Sequence, residues 1–526
     1  MQTKNEQKTQ SIFQYVKENI DEDGYFIGNT LPHNNPAFIS GSISFDLGAA
    51  DAFYVMSPGQ DDPQVVSYLE TAIKQYLDDP TDKNQENLYN FITRTQCISY
   101  TASLIDNLNN RKSLTHLLEL AEHWFYYATD REAVKFAILL FGLSDLKNID
   151  QAKYPSLLTD LNLLARCDEF TYFVLLALNL SNLKTEDTVW DIIKHTFGWG
   201  RVHALLSADF STAEQKNWLL HHGCEIDVHF PPIAVLCITK SNLYEILQQP
   251  TIDKPHFFAL SNIMVTYLDF LLDYDPVSLF PPKDYPKIDN FILLKNFIRL
   301  AAPYQNDIEN LYDIITLTSH LHEITTNNRW EILDANSAHI LISMAESLLY
   351  SQDWLPQIKQ ELINKKGKIN YTVIDFAREL EIDIWDLLFS ILEENPTYTK
   401  LFSYLLADPE PARFHKALAF AEQHLEAYKT DEQLLSPIIH SLATHPGTGE
   451  KFIIAGLTAL HDWPRTIAID TLEIWGIEYL SQEIRVAILK AQDIAQQNLL
   501  VLRLRCLLQN KIFNLNKFIS NILESE

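Results

Sequence analysis

An all-α fold, built as a solenoid of stacked helical hairpins behind an irregular N-terminal cap, is what this chain of 526 residues predicts. Three observations lead there. Glycine is scarce, at 14 residues in 526, well under the average usage of about 7%. Runs of alternating apolar residues bounded by Gly or Asn turns, the usual strand signal, are rare. A short proline-bearing turn also recurs in the C-terminal third and each time feeds an amphipathic helix. Its copies are Ala407-Asp408-Pro409-Glu410-Pro411 and His461-Asp462-Trp463-Pro464.

Each turn has a physical logic. Its Asp can satisfy orphan backbone N–H groups at the start of the next helix, and Pro464 suits a first helical position, where a missing donor is harmless. After the first turn, Phe414, Ala417, Leu418, Ala421 and Leu425 recur at helical spacing. After the second, Ile467, Ala468, Thr471, Leu472 and Trp475 do the same, and both sets form one apolar stripe. Trp463 is expected to pack between adjacent hairpins. A turn rich in Asp and Pro ahead of a helix with a basic residue, here Arg413 or Arg465, resembles the HEAT/armadillo group of helical repeats. Asp408 and Asp462 lie 54 residues apart, beyond the roughly 40–47 of that group, so the expected hairpins are degenerate.

Four regions are expected along the chain. Residues 1–62 combine one amphipathic helix (Ile12, Phe13, Val16, Ile20) with most of the Gly, Pro and Asn punctuation, and form the cap that a repeat array needs over its hydrophobic end. Residues 63–273 carry closely spaced helical patterns. One is a hairpin turning at Thr129-Asp130-Arg131, with Ala133, Val134, Ala137, Ile138 and Phe141 as its stripe. Residues 274–289 are a Pro-rich connection, either a hinge or a surface crossover. Residues 290–526 return to helical hairpins.

Composition excludes several classes. Asp and Glu outnumber Lys and Arg by 69 to 41, a net charge of −28. A phosphate-binding surface needs clustered cations, yet the sole compact basic group is Lys365-Lys366-Gly367-Lys368, which reads as a solvated loop. No nucleic-acid partner is expected. The acidity suits solubility, and it also suits a basic protein partner. The longest apolar stretches, 170–180 and 256–272, are too short or too polar for a bilayer, and the polar N-terminus shows no signal-peptide core. A cytoplasmic protein without a membrane partner is therefore expected. Five scattered cysteines without a C-x-x-C argue against both a disulfide framework and a zinc ribbon.

The most distinctive stretch is Gly198-Trp199-Gly200-Arg201-Val202-His203-Ala204, continuing to Trp218-Leu219-Leu220-His221-His222-Gly223-Cys224. It resembles a group of bacterial helical-repeat proteins, some labelled limonene hydroxylase. The stretch Phe45-Asp46-Leu47-Gly48-Ala49-Ala50-Asp51-Ala52 is similar to a Gly-Ala-x-Asp-Gly element of the same group, with Ala52 where glycine is usual. Hydroxylation would imply a redox cofactor. The sequence offers neither a cysteine in a haem-ligating context nor a glycine-rich strand–helix turn, so the resemblance is taken for the fold alone and no cofactor is expected.

Trp199, Arg201, His203 and Trp218 are the candidate binding residues. Paired glycines can break a helix and turn Trp199 onto a groove, with Arg201 and His203 facing an anion or a partner. Alternatively, both tryptophans plug the core while Arg201 and His203 satisfy helix-end carbonyls. His221 and Cys224 have chelating spacing but lack a second pair, so no metal site is expected. Asp21-Glu22-Asp23-Gly24 only begins like a calcium loop. The paired carboxylates Asp61/Asp62, Asp78/Asp79 and Glu393/Glu394 imply no convergence, and no nucleophile or phosphate-binding motif appears. No catalytic residue is nominated. A non-catalytic interaction scaffold for a protein or peptide, a toxin-neutralising role among its forms, is the first expectation. An enzyme or small-molecule-binding protein with a pocket around Trp199, Arg201 and His203 is the second.

Overall fold

The computed structural model describes residues 10–28, 30–32, 46–56, 61–108, 115–144, 146, 156–274, 287–364, 367–494, 498–509 and 511. Helix accounts for 71%. Among the described residues there is no strand, and extended pairing is confined to two isolated bridges, Ile20 with Phe26 and Ile363 with Ile369. Among the described residues, no helix is long and apolar enough to cross a membrane. Lys365, Lys366, Phe45 and most of the connection at 274–289 lie outside the described residues. The described residues up to Asp353 form one compact unit, and those from Trp354 onward form a second. The helices on either side of the Pro-rich connection belong to the first unit.

In the first unit, the helices that build the candidate site are α1 (Ile12–Glu18), α2 (Ala49–Met56), α3 (Thr115–Tyr127), α4 (Arg131–Leu143), α5 (Leu157–Leu164), α6 (Asp168–Leu180), α7 (Glu186–His195) and α8 (Trp199–Ser207). α4 packs on α3 and α6, α6 on α8, and α8 on α7, so α4, α6 and α8 make an inner row. α1 bridges α3 and α5 at the outside. Asp130 caps α4, its carboxylate accepting from the Glu132 N–H, as the turn chemistry predicts. The expected stripe on α4 is buried, but so is every residue from Glu132 to Leu143. With neighbours on two sides and nearly continuous apolar sequence, the helix has no solvent face.

The second unit contains α9 (Tyr371–Glu379), α10 (Trp385–Glu394), α11 (Pro411–Gln423), α12 (Leu435–Ser441), α13 (Glu450–Leu457), α14 (Asp462–Trp475), α15 (Gln482–Ile494) and α16 (Asn498–Leu508). Here α12 packs on α14 and α14 on α16, while α13 packs on α15. From α12 to α16, each helix thus packs on the next but one. Pro411 opens α11, and Asp408 accepts from the Glu410 N–H in the turn before it.

The second turn departs from expectation. α14 starts at Asp462, so Pro464 is its third residue. The N–H groups of Leu460 and His461 are held by the Glu432 carboxylate instead of by Asp462. Trp463 is 64% exposed and packs between no helices. Arg465 takes the interior place: fully buried, it pairs with Asp462 and donates to the Ala459 carbonyl at 2.5 Å. With Pro464 in the helix, the 3.6-residue period turns Arg465, Ala468, Leu472 and Trp475 inward and Trp463 outward.

Candidate functional site

The two distinctive stretches meet at the start of α6. Asp168, its first residue, accepts a hydrogen bond from the Gly200 N–H at 3.1 Å and another from the Gly198 N–H. It thereby caps α8 from a different helix. A Cβ on either glycine would collide with the Asp168 carboxylate. Gly48 closes on the same residue from the other stretch: its φ is +78°, and a Cβ there would lie 2.6 Å from the Asp168 carbonyl oxygen. The Gly48 N–H donates to the Glu169 carboxylate at 2.9 Å. Three glycines of a glycine-poor chain are therefore fixed by close approach to two consecutive acidic residues.

Behind this contact lies a buried ionic cluster. Lys135 on α4 is 2% exposed, with its Nζ 2.6 Å from Asp51, 2.7 Å from Glu169 and 3.3 Å from Glu132. Arg131 adds a bond to Glu169 at 3.1 Å, and the Cys97 N–H donates to Glu132 at 2.7 Å. Asp51 belongs to α2, so Lys135 is the charge that fixes α2 against α4 and α6. Burial pushes the Asp51 carboxyl up to about 7, against the pull of Lys135. Glu169 goes the other way: Lys135 and Arg131 hold it below the usual carboxylate range despite burial. Lys135, facing three carboxylates, is held well above the ordinary lysine value.

In front of the contact is a cavity of about 290 Å³, whose wall includes Asp46, Arg166, Asp168, His195, Trp199 and Asp227. Burial pushes Asp168 up to about 7, offset in part by the two glycine N–H bonds. Arg166 is engaged, donating to the Gly24 carbonyl at 3.0 Å and to Asp191 at 3.2 Å. His195 Nδ1 sits 2.7 Å from the Asp191 carbonyl oxygen. The opening at Asp21–Gly24 is an ordinary turn, with Asp21 Oδ1 accepting from the N–H groups of Asp23 and Tyr25.

Of the four candidate residues, Trp199 alone reaches this cavity. It is buried between Phe53 and Phe230. Arg201 is 5% exposed; its guanidinium lies over Phe197 at 4.5 Å and Trp218 at 5.7 Å and donates to the Glu225 carbonyl at 2.9 Å. That clamps the segment following the helix Ala213–His222. His203 packs against Tyr172, its Nε2 finds no hydrogen-bond partner among the described residues, and burial pushes its pKa down to about 4. Trp218 is half-buried, edge-on to Trp190. Arg201 and His203 thus lie buried and outside the wall of this cavity. Cys224 and Cys237 are free thiols with sulfurs 3.8 Å apart, and no group of metal-binding side chains occurs among the described residues.

No protein-family model, curated protein or solved structure matches this chain. The site therefore rests on geometry alone. Asp51 stood within a distinctive stretch without an assigned role, whereas Asp168, Glu169 and Lys135 were not singled out by the sequence. Two signals carried them: a lone Lys inside the apolar run of α4, and glycines at 48, 198 and 200 in a chain that otherwise avoids glycine.

Proposed function

We propose that this protein is a non-catalytic interaction scaffold, an α-solenoid of degenerate HEAT/armadillo-like hairpins that binds a protein or peptide partner in the cytoplasm. The observation that carries the reading is the packing of each helix on the next but one from α12 to α16, with α12, α14 and α16 in one succession and α13 and α15 in the other. Such stacking leaves long lateral surfaces that a single core would bury. Arg413 and Arg465 are each tied to acidic residues of their own turn, Arg413 half-buried and Arg465 fully buried. A net charge of −28 favours a basic partner, a toxin-neutralised complex being one instance.

The test is selection of displayed short peptides on the whole folded protein at physiological salt. Enrichment of a common motif supports the scaffold. Failure of every selection, together with a metal, flavin or haem found at stoichiometric amount by elemental analysis and absorbance, sinks it.

A second reading, a small-molecule site, is favoured by one observation: Asp168, titrating at about 7, faces a cavity beside His195 and Arg166. A carboxyl poised there can exchange a proton near neutrality. Thermal-shift screening of small polar compounds decides this one. Ligands that stabilise the wild type and not Asp168→Asn support it.

A further inference from the structure

The geometry points to a groove in the second unit that receives a cationic peptide segment carrying a large apolar anchor; this deepens the scaffold reading and rests on it. The groove has a volume of about 710 Å³ and lies between α9, α10 and the turn ahead of α11. That size falls among the pockets that enclose ligands of a few hundred daltons. Its floor is apolar, formed by Ile374, Ile382, Ile384, Trp385 and Leu388. Trp385 is held rigidly, its indole N–H donating to the Leu405 carbonyl at 3.1 Å and its ring stacked on Phe389 at 5.0 Å. A rigid apolar floor favours an anchoring side chain, because little conformational freedom is lost on binding.

The charges on the wall select the occupant's sign. Four carboxylates (Glu381, Asp383, Asp408, Glu410) face two guanidiniums (Arg378, Arg413), leaving a net charge of −2. Both arginines are already engaged. Arg413 meets Asp383 at 2.7 Å, Asp408 at 3.1 Å, Glu410 at 3.4 Å and Asp386 at 3.8 Å. Arg378 pairs with Asp375 and Glu379, each at 3.2 Å. Neither is left to recruit an anion, whereas Glu381 stands exposed on the rim in a left-handed conformation. A second copy of the chain would bring another net −28 to an acidic rim, which opposes self-association there. The favoured occupant is a partner's segment with Lys or Arg flanking one Leu, Phe or Trp.

The experiment measures fluorescence anisotropy of labelled short peptides against the whole protein. One set carries a Trp or Leu anchor flanked by Lys and Arg; a second replaces the basic residues by Glu, and a third replaces the anchor by Ser. The first set should bind, and the other two should bind at least about tenfold more weakly, with affinity of the first falling as salt rises. Ala407→Trp fills the groove from an exposed position, and Glu381→Lys reverses an exposed rim charge. Each should weaken binding by about tenfold or more while circular dichroism stays unchanged. Peptide binding that neither variant alters overturns the groove and leaves the scaffold standing. Equal binding of the Glu-flanked set overturns the proposed sign. A dimer in sedimentation that Ala407→Trp abolishes assigns the groove to a second copy and also overturns the proposal. If no peptide of the first set binds, the groove proposal fails, and the scaffold is then decided by the display selection together with the cofactor analysis.

Discussion

Asp168 concentrates the physics of the candidate site in one side chain. It accepts the N–H groups that start α8, excludes side chains from positions 198 and 200, and is pushed up to about 7 by burial. In the unfolded chain its value returns to about 3.8. The folded protein therefore holds a proton that the unfolded chain releases near pH 4, and stability from this group is lost as pH rises from about 4 to about 7. Asp168→Asn keeps an accepting oxygen and removes the titration. Urea unfolding across that range should show the wild type losing ground to the variant with rising pH, then a constant difference above about 7. A difference independent of pH would show that Asp168 is not held protonated. Lys135 allows a sharper test. Lys135→Met leaves Asp51, Glu132 and Glu169 buried without their shared cation, and should cost roughly 3–5 kcal/mol. Adding Asp51→Leu removes one of the stranded carboxylates and should return part of that loss; a double variant less stable than the single one contradicts the cluster's role.

At the scale of the element, α14 separates two tryptophans that sequence patterning treats alike. Trp475 is 3% exposed, and its indole N–H donates to the Leu442 carbonyl at 2.8 Å. Trp475→Ala should cost roughly 3–5 kcal/mol. Trp463, at 64% exposure, should change stability by no more than about 0.5 kcal/mol when replaced by Ala. Chemical unfolding of both variants checks the contrast, and a large loss at Trp463 would mean the helix is rotated. The reason only part of this was legible is visible here. Low glycine content, turn chemistry and 3.6-residue spacing read out helices and their order. Spacing already places Trp475 in the stripe; the exact first residue of α14 decides whether Trp463 sits in the turn or on the outer face of the helix, and a sequence signature ahead of a proline leaves that open by two positions. Likewise, spacing marked α4 as a stripe, while its burial on all sides depends on which helices lie beside it. Long-range pairs such as Lys135 with Asp51, 84 residues apart, have no local signature of their pairing; the chain shows only a lysine where an apolar residue belonged and an aspartate shortly after Gly48.

At the scale of the molecule, the interaction reading depends on stacking: each helix of the second unit should draw stability from its immediate neighbours and little from distant ones. Hydrogen exchange of Trp475→Ala, read helix by helix, tests this most directly. Protection should fall in α14 and in the helices packed on it, α12, α13 and α16, while α9 and α10 keep the protection of the wild type. An equal loss across every helix from α9 to α15 would mean one cooperative core, and would contradict the repeat scaffold on which the proposed function stands.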